Sequence, residues 1–183
     1  EIASQASATH TWVHQYLARV TAGLFWIGCN LLGKKGCQAA HFYKAHVDGR
    51  CVLTDPISSK MSLLVFGIGA IGTYVGGSLA LAGHKVVFIE KHEIAEAVRK
   101  SGLQLGIGGI KKTVNHVEVV TTVSEALALC SFDVAILAVK SYDTLSVIES
   151  IKPFAQNFAP VLCLQNGVEN EIRLVEALGS DKV

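Results

Sequence analysis

The chain has 183 residues, half of them hydrophobic, and a formal net charge of +1. This length is enough for one hydrophobic core, or for one core with an appendage. A charge near zero provides no basic field for nucleic acid, and no uninterrupted apolar run reaches the roughly 18 residues of a membrane span. We therefore expect a soluble globular protein that binds neither nucleic acid nor a membrane.

Residues 1–60 differ in character from the rest of the chain. They carry six basic and three acidic residues, whereas residues 61–183 carry ten and twelve. Three of the five cysteines lie in this segment, but their spacing matches no metal motif, and no metal site is expected. The only methionine, Met61, comes directly before the first clear strand pattern. We expect residues 1–60 to be an extension of uncertain structure, non-native or disordered, with a genuine extension as the alternative.

Residues 61–91 predict one β-α-β unit. Residues 62–66 form an uncharged apolar run, which is typical of a strand buried on both faces of a parallel sheet. The run ends in a G-x-G-x-x-G pattern, after which apolar residues recur at helical spacing as far as Gly83. Residues 86–89 then predict a second strand. This is the strand, turn and helix context in which the glycine pattern is informative.

In this context the glycines predict a site for the pyrophosphate of a dinucleotide. Gly67 allows the tight turn out of the strand, Gly69 lets the backbone approach phosphate, and Gly72 lets the helix lie close to the strand. Glu90 lies 18 residues after Gly72, near the position where an acidic group would hold a ribose hydroxyl. The residues expected to cradle the pyrophosphate at the helix N-terminus are Gly67, Ile68, Gly69, Ala70, Ile71 and Gly72.

The remainder of the chain alternates between strand and helix patterns. Four helices are predicted, over residues 92–101, 124–130, 141–151 and 170–178. Two buried strands are predicted, over residues 133–139 and 161–165, and residues 181–183 resemble the start of another. Residues 103–107 and 113–121 predict a hairpin beside the sheet, turning at Gly108 and Gly109. The expected fold class is therefore α/β, a Rossmann-like parallel sheet with flanking helices.

Polar segments follow the late strands, at the edge where an open parallel sheet binds its ligands. Lys140 ends an uncharged strand and places an ammonium where it could meet a phosphate, a ribose or a substrate carboxylate. Asn166 offers an amide donor and a carbonyl acceptor beside Gly167, which suits a carboxamide or a hydroxy-ketone. A solvated lysine at a strand end and a simple turn asparagine are the alternatives.

Residues 61–183 resemble the N-terminal nucleotide-binding domain of ketopantoate reductase (2-dehydropantoate 2-reductase). The resemblance rests on GIGAIG at 67–72, AGH at 82–84, AVKSYDT at 138–144 and LQNGVEN at 164–170. It implies that the glycine loop holds the pyrophosphate, that Lys140 contacts the cofactor, and that Asn166 reaches both the nicotinamide and the substrate. The family's helical substrate domain, with its proton-donating lysine and acidic partner, would follow Val183. We therefore expect the chain to be the first half of a two-domain dehydrogenase without its general acid.

The resemblance implies reduction of 2-dehydropantoate to pantoate in the cytoplasm, a step towards pantothenate and coenzyme A. NADP(H) is the expected cofactor because Lys91 stands at the family's arginine position, although Glu90 could accept from the ribose diol of NAD. A homodimer formed through the second domain is compatible with the family. Two alternatives stay open: another two-domain 2-hydroxyacid or 6-phosphogluconate-type dehydrogenase, and an NAD(P)-binding module without catalysis.

Overall fold

The computed structural model describes residues 44–47, 50–53, 60–107, 110–165 and 168–183, and the chain divides into two units, 1–60 and 61–183. In the first unit, β1 (Lys44–Val47) pairs antiparallel with β2 (Arg50–Leu53). Neither strand was predicted from the pattern of residues. Apart from Lys60, the remainder of the extension lies outside the described residues. The turn predicted at Gly108 and Gly109 and the predicted site residues Asn166 and Gly167 also lie outside them.

Five strands of the second unit form one parallel sheet. They are β3 (Ser62–Phe66), β4 (Lys85–Ile89), β7 (Glu118–Val120), β8 (Val134–Leu137) and β9 (Val161–Cys163). Their order across the sheet is β7-β4-β3-β8-β9, and every neighbouring pair is parallel. The chain runs outward from the central β3 to one edge, crosses back, and then runs to the other edge. This doubly wound order confirms the predicted Rossmann-like fold.

Helices connect these strands. In the part of the chain that the structure describes they are α1 (Ala70–Leu81), α2 (His92–Ser101), α3 (Val123–Leu129), α4 (Thr144–Ile151) and α5 (Val168–Leu178). Two 3₁₀ segments, Ser141–Asp143 and Lys152–Asn157, flank α4, so the helix predicted over residues 141–151 begins with a tighter turn. None of the described helices is both long and apolar enough to cross a bilayer.

The central strand β3 is buried on both faces. Its residues Leu63, Leu64, Val65 and Phe66 are each at most 1% exposed. Because successive side chains of a strand point to opposite faces, such a run requires packing partners on both sides of the sheet. Buried side chains from α3, α4 and α5 join those of β3 and β8 in one cluster, which includes Ala126, Ile148 and Leu174. The core thus lies against the strands whose ends carry the predicted site.

The segment predicted as one extended piece over residues 113–121 is in fact two strands with different partners. β5 (Leu103–Ile107) pairs antiparallel with β6 (Ile110–Val114), whereas β7 pairs parallel with β4. The prediction that this whole segment belongs to the hairpin was wrong. In β5, buried and exposed residues alternate, while Val119 and Val120 of β7 are buried in succession. Consecutive burial is the mark of a strand in a parallel sheet, and alternation that of a one-sided hairpin.

His84 joins the beginnings of β3 and β4 at the amino edge of the sheet. It follows Gly83, whose φ of +91° ends α1, and its own backbone N–H donates to the carbonyl oxygen of Leu79 at 3.2 Å. The backbone N–H of Met61 donates to His84 Nδ1 at 3.2 Å, and the imidazole is half-buried. Nδ1 can accept this hydrogen bond only while it carries no proton. Burial also lowers the pKa of His84, because it disfavours the charged ring.

We expect acid to destabilise the parent chain more than the variant His84→Gln, which keeps an acceptor but does not titrate. The unfolded chain takes up the proton first, because the folded-state pKa lies below the ordinary value of about 6.5. The contribution of neutral His84 is therefore present above about pH 6.5 and is lost as the pH falls. Urea unfolding at about pH 8 and about pH 5.5 measures this difference. Equal pH dependence in the two proteins would contradict it.

Candidate functional site

The loops that follow β3 and β8 meet at the carboxyl edge of the sheet. β3 and β8 are neighbours, with Phe66 opposite Leu137, and the backbone N–H of Ala138 donates to the carbonyl oxygen of Phe66 at 3.0 Å. The chain leaves β3 towards one edge of the sheet and returns to β8 on the other side. This place is therefore the topological switch point, where open α/β sheets bind their ligands.

Gly67 makes the turn that allows these two loops to approach each other. Its φ is +96°, and its N–H donates to the carbonyl oxygen of Ile89 at 3.0 Å. A Cβ at this position would lie 3.0 Å from Val139 Cγ1 and 3.2 Å from the carbonyl oxygen of Ala138. Both the left-handed backbone and the lack of space require glycine here.

The loop is tight at Gly72 and open at Gly69. A Cβ on Gly72 would lie 1.9 Å from the carbonyl oxygen of Gly67, so the start of α1 rests directly on the turn. At Gly69, which is exposed, no atom of the described residues outside its immediate chain neighbours lies within 4 Å of the Cβ position. The loop is therefore packed on its inner side and open outward, which is the shape that a pyrophosphate needs.

The N-terminus of α1 suits an anion. Gly69 is its N-cap, no side chain caps the helix, and the first turn contains no acidic residue. Ala70 and Ile71, which open the helix, are exposed. Nothing within the helix therefore competes with an anion for the amide groups of its first turn, where the helix dipole favours negative charge. Of the predicted loop residues, Gly69, Ala70 and Ile71 are thus exposed where an anion could bind, while Gly67 and Gly72 are buried behind them.

Glu90 holds the loop from the side of β4. The backbone N–H of Ile68 donates to Glu90 Oε2 at 2.8 Å, and the backbone N–H of Lys91 donates to Oε1 at 2.8 Å. Both carboxylate oxygens therefore accept hydrogen bonds from the protein itself. The spacing of Glu90 after the glycines predicted a ribose contact, but these two backbone contacts were not foreseen. They tie the glycine loop to the start of α2.

Lys91 and Lys140 are exposed at the same carboxyl edge, each directly after or close to the end of a strand. Lys91 is the N-cap of α2 and follows β4. Lys140 follows β8, and its carbonyl oxygen accepts from the backbone N–H of Asp143 at 2.9 Å. Lys140 Nζ lies 5.8 Å from the ring centroid of Tyr142, a contact that is weak at an exposed site. Both ammonium groups thus stay accessible to a ligand at this edge.

Gln165 joins the ends of β8 and β9; reasoning from the sequence placed it at the end of a strand but gave it no role. Its Nε2 donates to the carbonyl oxygen of Val139 at 2.6 Å, and its Oε1 accepts from the hydroxyl of Thr144 at 3.0 Å. Cys163 Sγ lies 3.8 Å from the same oxygen, and burial raises the pKa of this thiol, which favours the protonated form that donates. The signal available in the sequence was a long amide side chain directly after an apolar strand.

A protein-family model described as ketopantoate reductase PanE/ApbA matches residues 63–183. This chain belongs to the ketopantoate reductase family. The match covers almost the whole of the second unit, including the glycine loop, Lys91, Lys140 and Gln165. It confirms the family that the four sequence motifs indicated.

Three relatives illustrate the match to this ketopantoate reductase family domain. The 2-dehydropantoate 2-reductase of Pyrococcus abyssi is 36% identical over 116 residues, which are 63% of this chain and 36% of the relative. The structure of a PanE/ApbA family ketopantoate reductase from Ralstonia eutropha JMP134 is 36% identical with a TM-score of 0.56, covering 65% of this chain and 39% of that one. A D-mandelate dehydrogenase solved with NADH and anilino(oxo)acetate is 26% identical with a TM-score of 0.57, covering 66% and 38%. The chain spans somewhat more than a third of the length of each.

Proposed function

We propose that residues 61–183 form the cofactor-binding domain of an NADPH-dependent 2-dehydropantoate 2-reductase. The observation that carries this proposal is the loop that is closed at Gly72, open at Gly69 and placed at the switch point between β3 and β8. The name of the Pyrococcus abyssi relative supplies the substrate. We place the reaction in pantothenate biosynthesis in the cytoplasm.

We assign the other roles in the reaction to parts of the protein outside residues 61–183. Residues 1–60 are an extension that takes no part in binding cofactor. The family's relatives are much longer than the matched region, and we assign the general acid and most of the substrate contacts to a helical domain within that further length. Dimerisation, where it occurs, belongs to that domain as well.

Within residues 61–183 the chain's own groups bind the cofactor and orient it. When bound, a reduced nicotinamide supplies the hydride for reduction of the ketone. The amide groups at the start of α1 hold the pyrophosphate, and Lys140 offers positive charge to a phosphate or ribose at the rim. Asn166 is assigned to the nicotinamide side and the substrate, as the family resemblance implies.

We propose NADP(H) rather than NAD(H) from the arrangement of Glu90 and Lys91. Both oxygens of Glu90 accept backbone N–H groups, so its carboxylate is held against the loop. The exposed ammonium of Lys91 follows it directly and can pair with a 2′-phosphate. The D-mandelate dehydrogenase was solved with NADH, so NAD(H) is the alternative that the experiment has to exclude.

Lys91→Ala is expected to weaken NADPH binding by about 1 to 3 kcal/mol, the range of a charge-assisted hydrogen bond, and to leave NADH binding nearly unchanged. Calorimetric titration of the full chain with each cofactor measures both losses. Lys85→Ala is the matched control, because Lys85 is an exposed lysine that begins β4 at the opposite, amino edge of the sheet.

Three outcomes separate the parts of the proposal. Loss confined to NADPH supports the role of Lys91. Equal losses for both cofactors, or tighter binding of NADH by the parent chain, would reverse the choice of cofactor while leaving the binding domain in place. Failure of the parent chain to bind either nucleotide would refute the cofactor-binding function itself.

A further inference from the structure

We propose that Gln165 is a positioning residue that fixes the backbone of Lys140 at the cofactor cleft. This inference deepens the proposed function and rests on it, because it concerns how Lys140 is aligned towards the cofactor. The side-chain amide of Gln165 contacts the end of β8, the start of α4 and the end of β9, and so links three elements around the rim.

The decisive contact is made with the peptide that bears Lys140. The carbonyl oxygen of Val139, which accepts from Gln165 Nε2 at 2.6 Å, belongs to the same planar peptide unit as the N–H of Lys140. On the other side, the carbonyl oxygen of Lys140 accepts from the backbone N–H of Asp143 at 2.9 Å. The peptide units on both sides of the Lys140 Cα are therefore held, and the direction in which its side chain leaves the backbone is set.

The hydrogen bonds also fix which way the amide faces. If its nitrogen and oxygen exchanged places, the oxygen would face the carbonyl oxygen of Val139, and two acceptors would oppose each other. Thr144 is fully buried, so its hydroxyl has little access to water as an alternative partner. The amide is thus held in one orientation by a donor site and an acceptor site on two different elements.

The β8–β9 ladder brings Gln165 to this place. The backbone N–H of Leu164 donates to the carbonyl oxygen of Leu137 at 3.0 Å, immediately before the strands separate. Beyond that point the backbones of Val139 and Gln165 have no ladder bond between them, and the glutamine side chain spans the gap. The contact of the Gln165 side chain with Val139 therefore lies just beyond the end of β8, outside the sheet itself.

A double-mutant cycle in the full chain tests the proposal. Gln165→Met keeps the length and neutrality of the side chain but removes the donor, and NADPH affinity is measured for the parent, Lys140→Ala, Gln165→Met and the double variant. We expect Lys140→Ala to weaken binding about tenfold in the parent and less than about twofold once Gln165 is replaced, because a misaligned lysine contributes little. If Gln165 only stabilised the fold, the fold-losses of NADPH affinity caused by Lys140→Ala and by Gln165→Met would simply multiply in the double variant.

Two further variants control for stability. Ile151→Val trims a fully buried residue at the far end of α4 and should lower stability while leaving the full tenfold effect of Lys140→Ala. Thr144→Val removes the second anchor of the amide and should reduce the effect of Lys140→Ala, whereas Thr144→Ser, which keeps the hydroxyl, should restore it. The Thr144 pair carries the same cycle if Gln165→Met does not fold.

The outcomes distinguish this inference from the function on which it rests. Coupling between Lys140 and either anchor, with no coupling to Ile151, supports it. A full tenfold effect of Lys140→Ala in the Gln165→Met and Thr144→Val backgrounds would overturn it and leave the cofactor contact of Lys140 intact. If Lys140→Ala has no effect in a parent chain that binds NADPH, both the contact and the positioning role fail, although the domain still binds cofactor.

Discussion

Gly69→Ala is expected to leave the fold intact and to weaken NADPH binding roughly 100-fold, which corresponds to about 3 kcal/mol. The backbone of Gly69, with φ −75° and ψ −173°, is accessible to alanine, and the added Cβ would meet no atom of the described residues within 4 Å. The folded protein therefore has room for it. A pyrophosphate bound at this loop, as proposed, would not have room, because the methyl group would occupy the space through which the loop approaches phosphate.

Urea unfolding and NADPH titration of the same preparation separate these two effects. Gly106→Ala is the matched control, since a Cβ on Gly106 of β5 also meets nothing within 4 Å, yet this residue lies in the hairpin. It should bind NADPH as the parent does. If Gly69→Ala also bound NADPH like the parent, the phosphate could not lie against this loop.

Gly72→Ala is expected to cost stability as well as binding. Its Cβ would lie 1.9 Å from the carbonyl oxygen and 3.1 Å from the carbonyl carbon of Gly67, so the clash is with backbone rather than with a flexible side chain. Alanine favours a helix over glycine by about 1 kcal/mol, whereas overpacking typically costs about 1 to 3 kcal/mol, and a clash with backbone is expected at the upper end of that range. We therefore expect a net loss of about 2 kcal/mol in the free energy of unfolding.

The measurement is urea unfolding of the parent, Gly72→Ala and Gly69→Ala under identical conditions. The ranking expected for the free energy of unfolding places Gly72→Ala well below the other two. A Gly72→Ala protein as stable as the parent would mean that α1 does not rest on the turn at Gly67.

Local signals made much of the fold predictable. The uncharged run of β3, the glycine pattern and the end of α1 at Gly83 each depend on a few neighbouring residues, and the structure confirms them. The separation of β6 from β7 was not predicted, because both segments are rich in β-branched residues. Only their partners differ: β6 turns back on β5, and β7 extends the parallel sheet beside β4.

In the candidate site, too, some features were predictable from local sequence and others were not. Lys140 was predicted at the end of a strand from the uncharged run before it, and it does follow β8, whereas Lys91 was singled out only by the family resemblance. The contacts of Glu90 with Ile68 and of Gln165 with Val139 join residues 22 and 26 positions apart, and they depend on side-chain conformations that no periodicity encodes. Whether each group contacts cofactor, and the role of Asn166, stay predictions.

The central place of β3 in the sheet sets the cost of assembling the cleft. Pairing Ser62 with Lys85 closes a short segment of chain, whereas pairing Leu63 with Val134 closes one about three times as long. The entropy lost on closing a loop rises with the logarithm of its length, so the second pairing costs about 1 kcal/mol more. That pairing brings Val139 against Gly67. The glycine loop thus belongs to the β3–β4 part of the chain, whose pairing loses little entropy. The segment after β8 that carries Lys140 reaches its place only through the β3–β8 pairing, which loses more.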